Sequence, residues 1–355
     1  MLRAADAVRE VVAEAAGGPI LLLGVGGKMG PSLAALLIRA GATHVVGVSR
    51  FSDPAERAYL DGLGVETIAA DLLAEGALAS LPDAPAVFFL AGFKFGASTE
   101  ENSGMTWAMN ALLPAEVVRR YSTSRIVYVS SGNVYPFTPV SGAGAAESDG
   151  VGPVGEYAQS RLGGERLAMH VAAQHSTPLC VVRLFYATEC RYGIIQDLAQ
   201  KVLEGEPIPL AMGHVNQIWQ GDANAMIARC LPLCAHPARV IRTTSLTGTC
   251  VVLLICSLRS QAEYLCGQVL NVTGKDVLSV RSLSESLGEV LGRQPVFEGT
   301  EAPTALLGDA SEMLAELGEP SVSVEQIVAW VGAWVQEGGR SLGKPTKFES
   351  REGKF

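Results

Sequence analysis

The stretch Ile20-Leu21-Leu22-Leu23-Gly24-Val25-Gly26-Gly27-Lys28-Met29-Gly30 decides how the chain folds. Residues 20–25 form an apolar run, the signature of a strand covered on both faces. Glycines at 24, 27 and 30 interrupt it, and residues 31–40 then read as a helix. A strand, a glycine-rich turn and a helix in that order suit a pyrophosphate. Missing side chains let the backbone turn sharply and approach the phosphates, and the helix N-terminus offers free N–H groups and a partial positive charge. Gly24, Gly27, Lys28, Met29 and Gly30 are therefore candidates for holding a dinucleotide. A glycine-rich turn without a ligand is the competing reading.

The same rhythm continues outward. Apolar strand runs at 44–48, 65–69, 86–91, 125–130 and 179–185 alternate with helical patterns at 54–63, 107–121 and 156–174. Strand–helix alternation implies a parallel sheet with right-handed crossovers. Ahead of it, residues 1–18 read as an amphipathic helix carrying Asp6, Glu10 and Glu14, not as a signal peptide. Beyond 186 the rhythm loosens, with helices expected at 194–203, 222–233 (Asp222 as N-cap), 282–291 and 324–336, and a strand at 269–272. The fold class is thus α/β, a Rossmann-like doubly wound parallel sheet over 1–186. A smaller substrate-binding lobe follows over 187–337, and the Gly-rich, charged tail 338–355 is expected to be loose. Residues 241–268 hold three cysteines and break the pattern; the segment reads either as an insertion or as an ordinary extra strand and loop.

Composition sets bounds. The chain has 355 residues, 48% of them hydrophobic, and a net charge of -9, which argues against a nucleic-acid surface. Seven cysteines, an odd number with no CxxC pair, point away from a disulfide framework or a zinc site and toward a reducing, cytoplasmic setting. The longest apolar run, 250–256, is too short to span a bilayer. The five histidines show no metal spacing, so no metal is expected.

The second strand ends Val48-Ser49-Arg50, where a carboxylate would bind ribose hydroxyls and repel a 2′-phosphate. Ser49 can donate a hydrogen bond and Arg50 can pair with a phosphate, which leans the reading from NAD toward NADP; a merely solvated Arg50 is the alternative. Asp71 and Leu72 are placed to meet the adenine, although Asp71 equally suits a helix cap. Farther on, Ser130-Ser131-Gly132-Asn133-Val134-Tyr135 closes the fifth strand, and Tyr157 and Arg161 stand one turn apart at the start of a long helix. A phenol can move the proton that accompanies hydride transfer if a nearby cation lowers its pKa. Ser131 can hold the substrate oxygen.

These residues together resemble the extended short-chain dehydrogenase/reductases, the NAD-dependent epimerase/dehydratase family. Gly24, Gly27 and Gly30 match its nucleotide loop, SSGNVY its SSxxVY, and Tyr157 the tyrosine of its YxxxK. The resemblance makes Ser131, Tyr157 and Arg161 catalytic, with Arg161 also holding cofactor ribose. It places Ala91, Gly92 and Lys94 against the cofactor and makes Asn110 the asparagine of the helix before the fifth strand. It implies a homodimer through the helices of Trp107 and Tyr157. Two departures stand out. Arg161 replaces the family's lysine, and Tyr186 stands where sugar-nucleotide enzymes often carry Asn. Asn133, Tyr186, Arg191 and Trp219 are the substrate candidates; Trp219 suits a sugar face or a buried core. The implied function is NAD(P)-dependent oxidoreduction or epimerisation of a small sugar-like substrate. A non-catalytic dinucleotide sensor, suggested by Arg161, is the alternative.

Overall fold

The structure, a computed structural model, describes residues 2–15, 17–93, 98, 100–235 and 268–353. Lys94 and almost all of 241–268 lie outside the described residues. Seven parallel strands form the central sheet: β1 (Ile20–Leu23), β2 (Val45–Ser49), β3 (Glu66–Ala69), β4 (Ala86–Phe89), β5 (Arg125–Ser131), β6 (Leu179–Leu184) and β7 (Gln268–Val272). Their spatial order is β7-β6-β5-β4-β1-β2-β3. Chain direction across the sheet reverses between β1 and β4, which are paired neighbours. Ligands of open α/β sheets bind in the crevice outside the strand ends at such a reversal.

Alternate strand residues feed two apolar layers. Ile20 and Leu22 face one layer with α1 (Leu2–Glu14), α2 (Gly30–Arg39) and, from the lobe, the helix Gln220–Arg229. Leu21 and Leu23 face the other, with helix Leu113–Arg120 and the long helix Gly155–His175. Ala5, Val8, Val11 and Val12 of α1, and Ala15 just after it, are buried, the spacing of one helical face. β7 and the Gln220–Arg229 helix return to the sheet from beyond residue 186, so the two chain segments interlock.

Two elements differ from their sequence patterns. The helix expected over 107–121 is broken by a wider turn at Ala108–Leu112, between short helix Ser103–Trp107 and Leu113–Arg120. Pro114 has no N–H to give the carbonyl four residues back, which loosens the ladder there. Asp222 is not an N-cap. Its helix begins at Gln220, and its carboxylate accepts from Ser321 Oγ at 2.7 Å and Val322 N at 3.0 Å.

The lobe has its own apolar cluster, built by helices Ile194–Glu204, Val280–Leu291 and Val324–Gln336. The segment after Gly338, expected to be loose, lies against this lobe. Leu342 N donates to Arg191 O at 3.0 Å. Thr346 N and Oγ1 both donate to Asp197 Oδ2 at 2.7 Å. Arg351 donates to Thr304 O at 2.8 Å and Thr304 Oγ1 at 2.7 Å, and Phe348 is only 4% exposed. Among the described residues no helix is long and apolar enough to cross a membrane, and no cluster of His, Cys, Asp or Glu is arranged to hold a metal ion.

Candidate active site

One cavity of about 300 Å³ opens at the β1–β4 reversal. Its floor is the glycine-rich loop: Gly24, Gly27, Lys28, Met29 and Gly30 all line it. Gly24 has φ +90°, and a Cβ there would stand 2.5 Å from Ala91 N. The loop thus closes against the end of β4 only because glycine adopts this conformation and leaves this gap. The N-cap of α2, Met29, supplies no side-chain cap. The first N–H groups of α2 therefore have neither an intrahelical acceptor nor a capping side chain.

A second layer holds the loop from the lobe. Gln220 Nε2 donates to Lys28 O at 3.2 Å and to Ser32 Oγ at 2.8 Å. Asn224 Nδ2 donates to Met29 O at 3.3 Å and to the same hydroxyl at 2.8 Å. Lys28 Nζ sits 3.3 Å from the centre of the Tyr192 ring, a cation–π contact that ties the loop to the lobe.

Ser131, Asn133, Tyr157 and Arg161 line the opposite wall. Ser131 ends β5, donates to Asn133 Oδ1 at 3.1 Å and accepts from Asn133 N at 3.2 Å. Tyr157 and Arg161 leave the first turns of the Gly155–His175 helix on one face. Arg161 is 4% exposed. Its Nη2 donates to Val129 O, and its guanidinium carbon lies 5.3 Å from the Tyr128 ring centre. Burial pulls the Arg161 pKa down, but the phenols of Tyr128 and Tyr157 and the Glu165 carboxylate outweigh it and leave it raised. The guanidinium is charged. A Cβ on Gly92 would collide with Arg161 Nη1, so Gly92 makes room for the larger side chain. Asn110 is fully buried; its Oδ1 accepts from Phe93 N at 2.7 Å and its Nδ2 donates to Ser160 Oγ at 3.0 Å. It fixes the segment after β4 rather than facing the cavity.

The residues fit a dinucleotide. The loop is a cradle that side chains would fill, α2 points unfilled N–H groups at it, and Arg161 Nε and Gln220 Oε1 are buried with no hydrogen-bond partner among the described residues.

Of the substrate candidates, Tyr186 and Asn133 line the cavity. Arg191 does not: it is exposed and paired with Glu189 at 2.9 Å. Trp219 packs in the lobe cluster, edge-on to Trp330 at 5.2 Å, and also lies outside. Arg183, a residue able to hold an anionic substrate, is buried against Glu165 at 2.8 Å. Ser49 abuts the loop beside Gly26, whereas Arg50 is exposed. Asp71 Oδ1 accepts from Leu73 N at 3.1 Å, a turn cap, and Leu72 is buried in the core. The sequence patterns missed Gln220, Tyr192, Thr346 and Phe348, all of which line the cavity.

No curated protein matches the chain in sequence. Solved structures do match in fold. UDP-glucuronic acid 4-epimerase from Bacillus cereus, in complex with NAD, superposes with TM-score 0.70 at 17% identity, covering 90% of this chain and 96% of its own. dTDP-glucose 4,6-dehydratase from Bacillus anthracis, also in complex with NAD, gives 0.69 at 16% identity, with 90% and 97% covered. Both hold NAD, and the lean toward NADP finds no support in them. The profile of the NAD dependent epimerase/dehydratase family matches residues 20–219, more than half of the chain. Glycine loop, strand order and sequence profile agree, and the chain belongs to the NAD dependent epimerase/dehydratase family of enzymes.

Proposed function

We propose that this enzyme uses NAD to oxidise, and then to reduce again, a hydroxyl-bearing carbon of a sugar or sugar-like substrate. The observation that carries the reading is the meeting of Ser131, Tyr157 and Arg161 with the glycine loop in one cavity. NAD, when bound, supplies the carbon that accepts and returns the hydride. Ser131 Oγ orients the substrate oxygen. Tyr157 takes the hydroxyl proton as the C–H bond breaks and returns it when the carbonyl is reduced. Arg161 keeps a fixed positive charge beside the phenol. Unlike lysine, it relays no proton.

The sugar-like substrate is supported by relatives such as the Bacillus cereus enzyme, whose structure with UDP-glucuronic acid and NAD has the same fold. Phe185, Tyr186, Tyr192, Leu306 and Phe348 make the substrate side of the cavity aromatic and apolar, a surface suited to the C–H face of a sugar ring. The sensor alternative rested on Arg161, which stands charged in the same cavity as Tyr157.

Tyr157→Phe and Ser131→Ala test the roles. NADH titration should give the intact protein's affinity in both, while reduction of bound NAD by UDP-glucuronic acid, UDP-glucose and the corresponding free sugars falls about 10²-fold or more. Full turnover in Tyr157→Phe would remove the phenol from the mechanism.

A further inference from the structure

β2 ends without the carboxylate that commonly reads the adenosine ribose. The structure brings one in from the next helix. α3 spans Pro54–Gly62, and Asp53 caps it by accepting from Ala55 N at 2.9 Å. That cap and Pro54 fix the first turn and place Glu56 back over the nucleotide loop. A Cβ built on Gly26 would stand 2.5 Å from Ser49 Oγ and 3.1 Å from Glu56 Oε2. The Glu56 carboxylate, the Ser49 hydroxyl and the loop backbone therefore converge at the C-terminal end of β2. Gly26 leaves the space that keeps them there.

The other charged groups of this corner are engaged elsewhere or exposed. Asp53 is occupied by its cap. Arg57 Nε donates to Thr67 Oγ1 at 3.0 Å, and its guanidinium lies 4.0 Å from Asp61. Arg50 is exposed, whereas Glu56 is half-buried. We propose that Glu56 is the residue by which this site selects NAD over NADP. Its carboxylate accepts hydrogen bonds from the 2′- and 3′-hydroxyls of the adenosine ribose, and it repels a 2′-phosphate held at the same point. Ser49 completes the ribose contact, and Arg50 faces solvent.

The assignment rests on the reading of the cavity as a dinucleotide site, and the test separates the two. The intact protein, Glu56→Gln and Arg50→Ala are each titrated with NADH and with NADPH, following the fluorescence of the reduced nicotinamide. The intact protein binds NADH more tightly, Glu56→Gln lowers the NADH-to-NADPH affinity ratio about tenfold, chiefly by admitting NADPH, and Arg50→Ala leaves the ratio in place. The melting temperature of Glu56→Gln serves as the folding control and stays unchanged. An unchanged ratio in Glu56→Gln, with both nucleotides still binding, overturns the role of Glu56 alone. NADPH preference in the intact protein that collapses in Arg50→Ala overturns it in favour of Arg50. Binding of neither nucleotide overturns the dinucleotide site itself.

Discussion

Arg161 differs from a lysine in reach and shape, and its surroundings are fitted to it. Its fork spans from the Val129 carbonyl to the space left by Gly92. Lysine has no planar fork to fill that space. Arg161→Lys should therefore lower turnover by about tenfold or more rather than restore a better catalyst, and Gly92→Ala should act in the same direction by displacing the guanidinium. Initial rates beside NADH titrations would check both; a gain of activity in Arg161→Lys would mark the site as decayed. Glu147 carries a different prediction. Burial pushes its carboxyl pKa up to about 7, while the Asn271 N–H, donating at 2.6 Å, pulls the other way. The folded state thus holds this proton more tightly than the unfolded chain. Stability contributed here is complete below the ordinary carboxyl pKa and is lost as pH rises toward about 7. Glu147→Gln should raise the melting temperature at pH 8, and the gain should shrink at pH 5. At this scale the candidate site was legible where its residues are marked by local spacing: the glycines, Ser131, Tyr157 and Arg161 stand out in the sequence and line one cavity. Gln220, Phe348 and Glu56 did not, because their places beside the loop or in the cavity depend on where other elements bring them.

The strands and most helices were legible because their apolar periods are dictated by burial on one or two faces. The exceptions have identifiable physics. Pro114 breaks a helix whose apolar pattern runs through it, and Asp222 spends its carboxylate on the loop at Ser321 instead of capping. The Gln220–Arg229 helix couples lobe to loop through two amides. Replacing Gln220 and Asn224 together by alanine should weaken NADH binding while leaving the unfolding transition cooperative, because their amides hold Lys28, Met29 and Ser32. The C-terminal segment looked loose from its glycines and charges, yet Thr346 and Arg351 find half-buried partners and Phe348 reaches the cavity. Phe348→Ala should cost about 3 kcal/mol in urea unfolding. It should also raise the substrate KM more than it lowers kcat; an unchanged KM would make Phe348 a packing residue only.

Across the whole molecule, one buried network joins the sheet to the helix that carries Tyr157 and Arg161. Glu165 accepts from Arg183 at 2.8 Å and from Ser130 Oγ at 2.5 Å, Arg183 donates to Tyr135 Oη at 2.6 Å, and that phenol donates to Asn271 Oδ1 at 3.0 Å. Helix Gly155–His175, β5, β6 and β7 are thereby held in one register. Glu165→Ala would leave the Arg183 charge buried and unpaired and should cost about 3–5 kcal/mol, read from urea unfolding. Such a network was not legible in the sequence, since its hydrogen-bonded partners are up to 136 residues apart. The fold class was, because doubly wound order follows from alternation and crossover handedness. The measurement that bears most directly on the account is equilibrium titration of the purified, intact protein with NADH and NADPH, joined to identification of any dinucleotide released on denaturation. The account predicts saturable NADH binding at one site per chain, weaker NADPH binding, and NAD or NADH as the released nucleotide. Binding of neither nucleotide would contradict it.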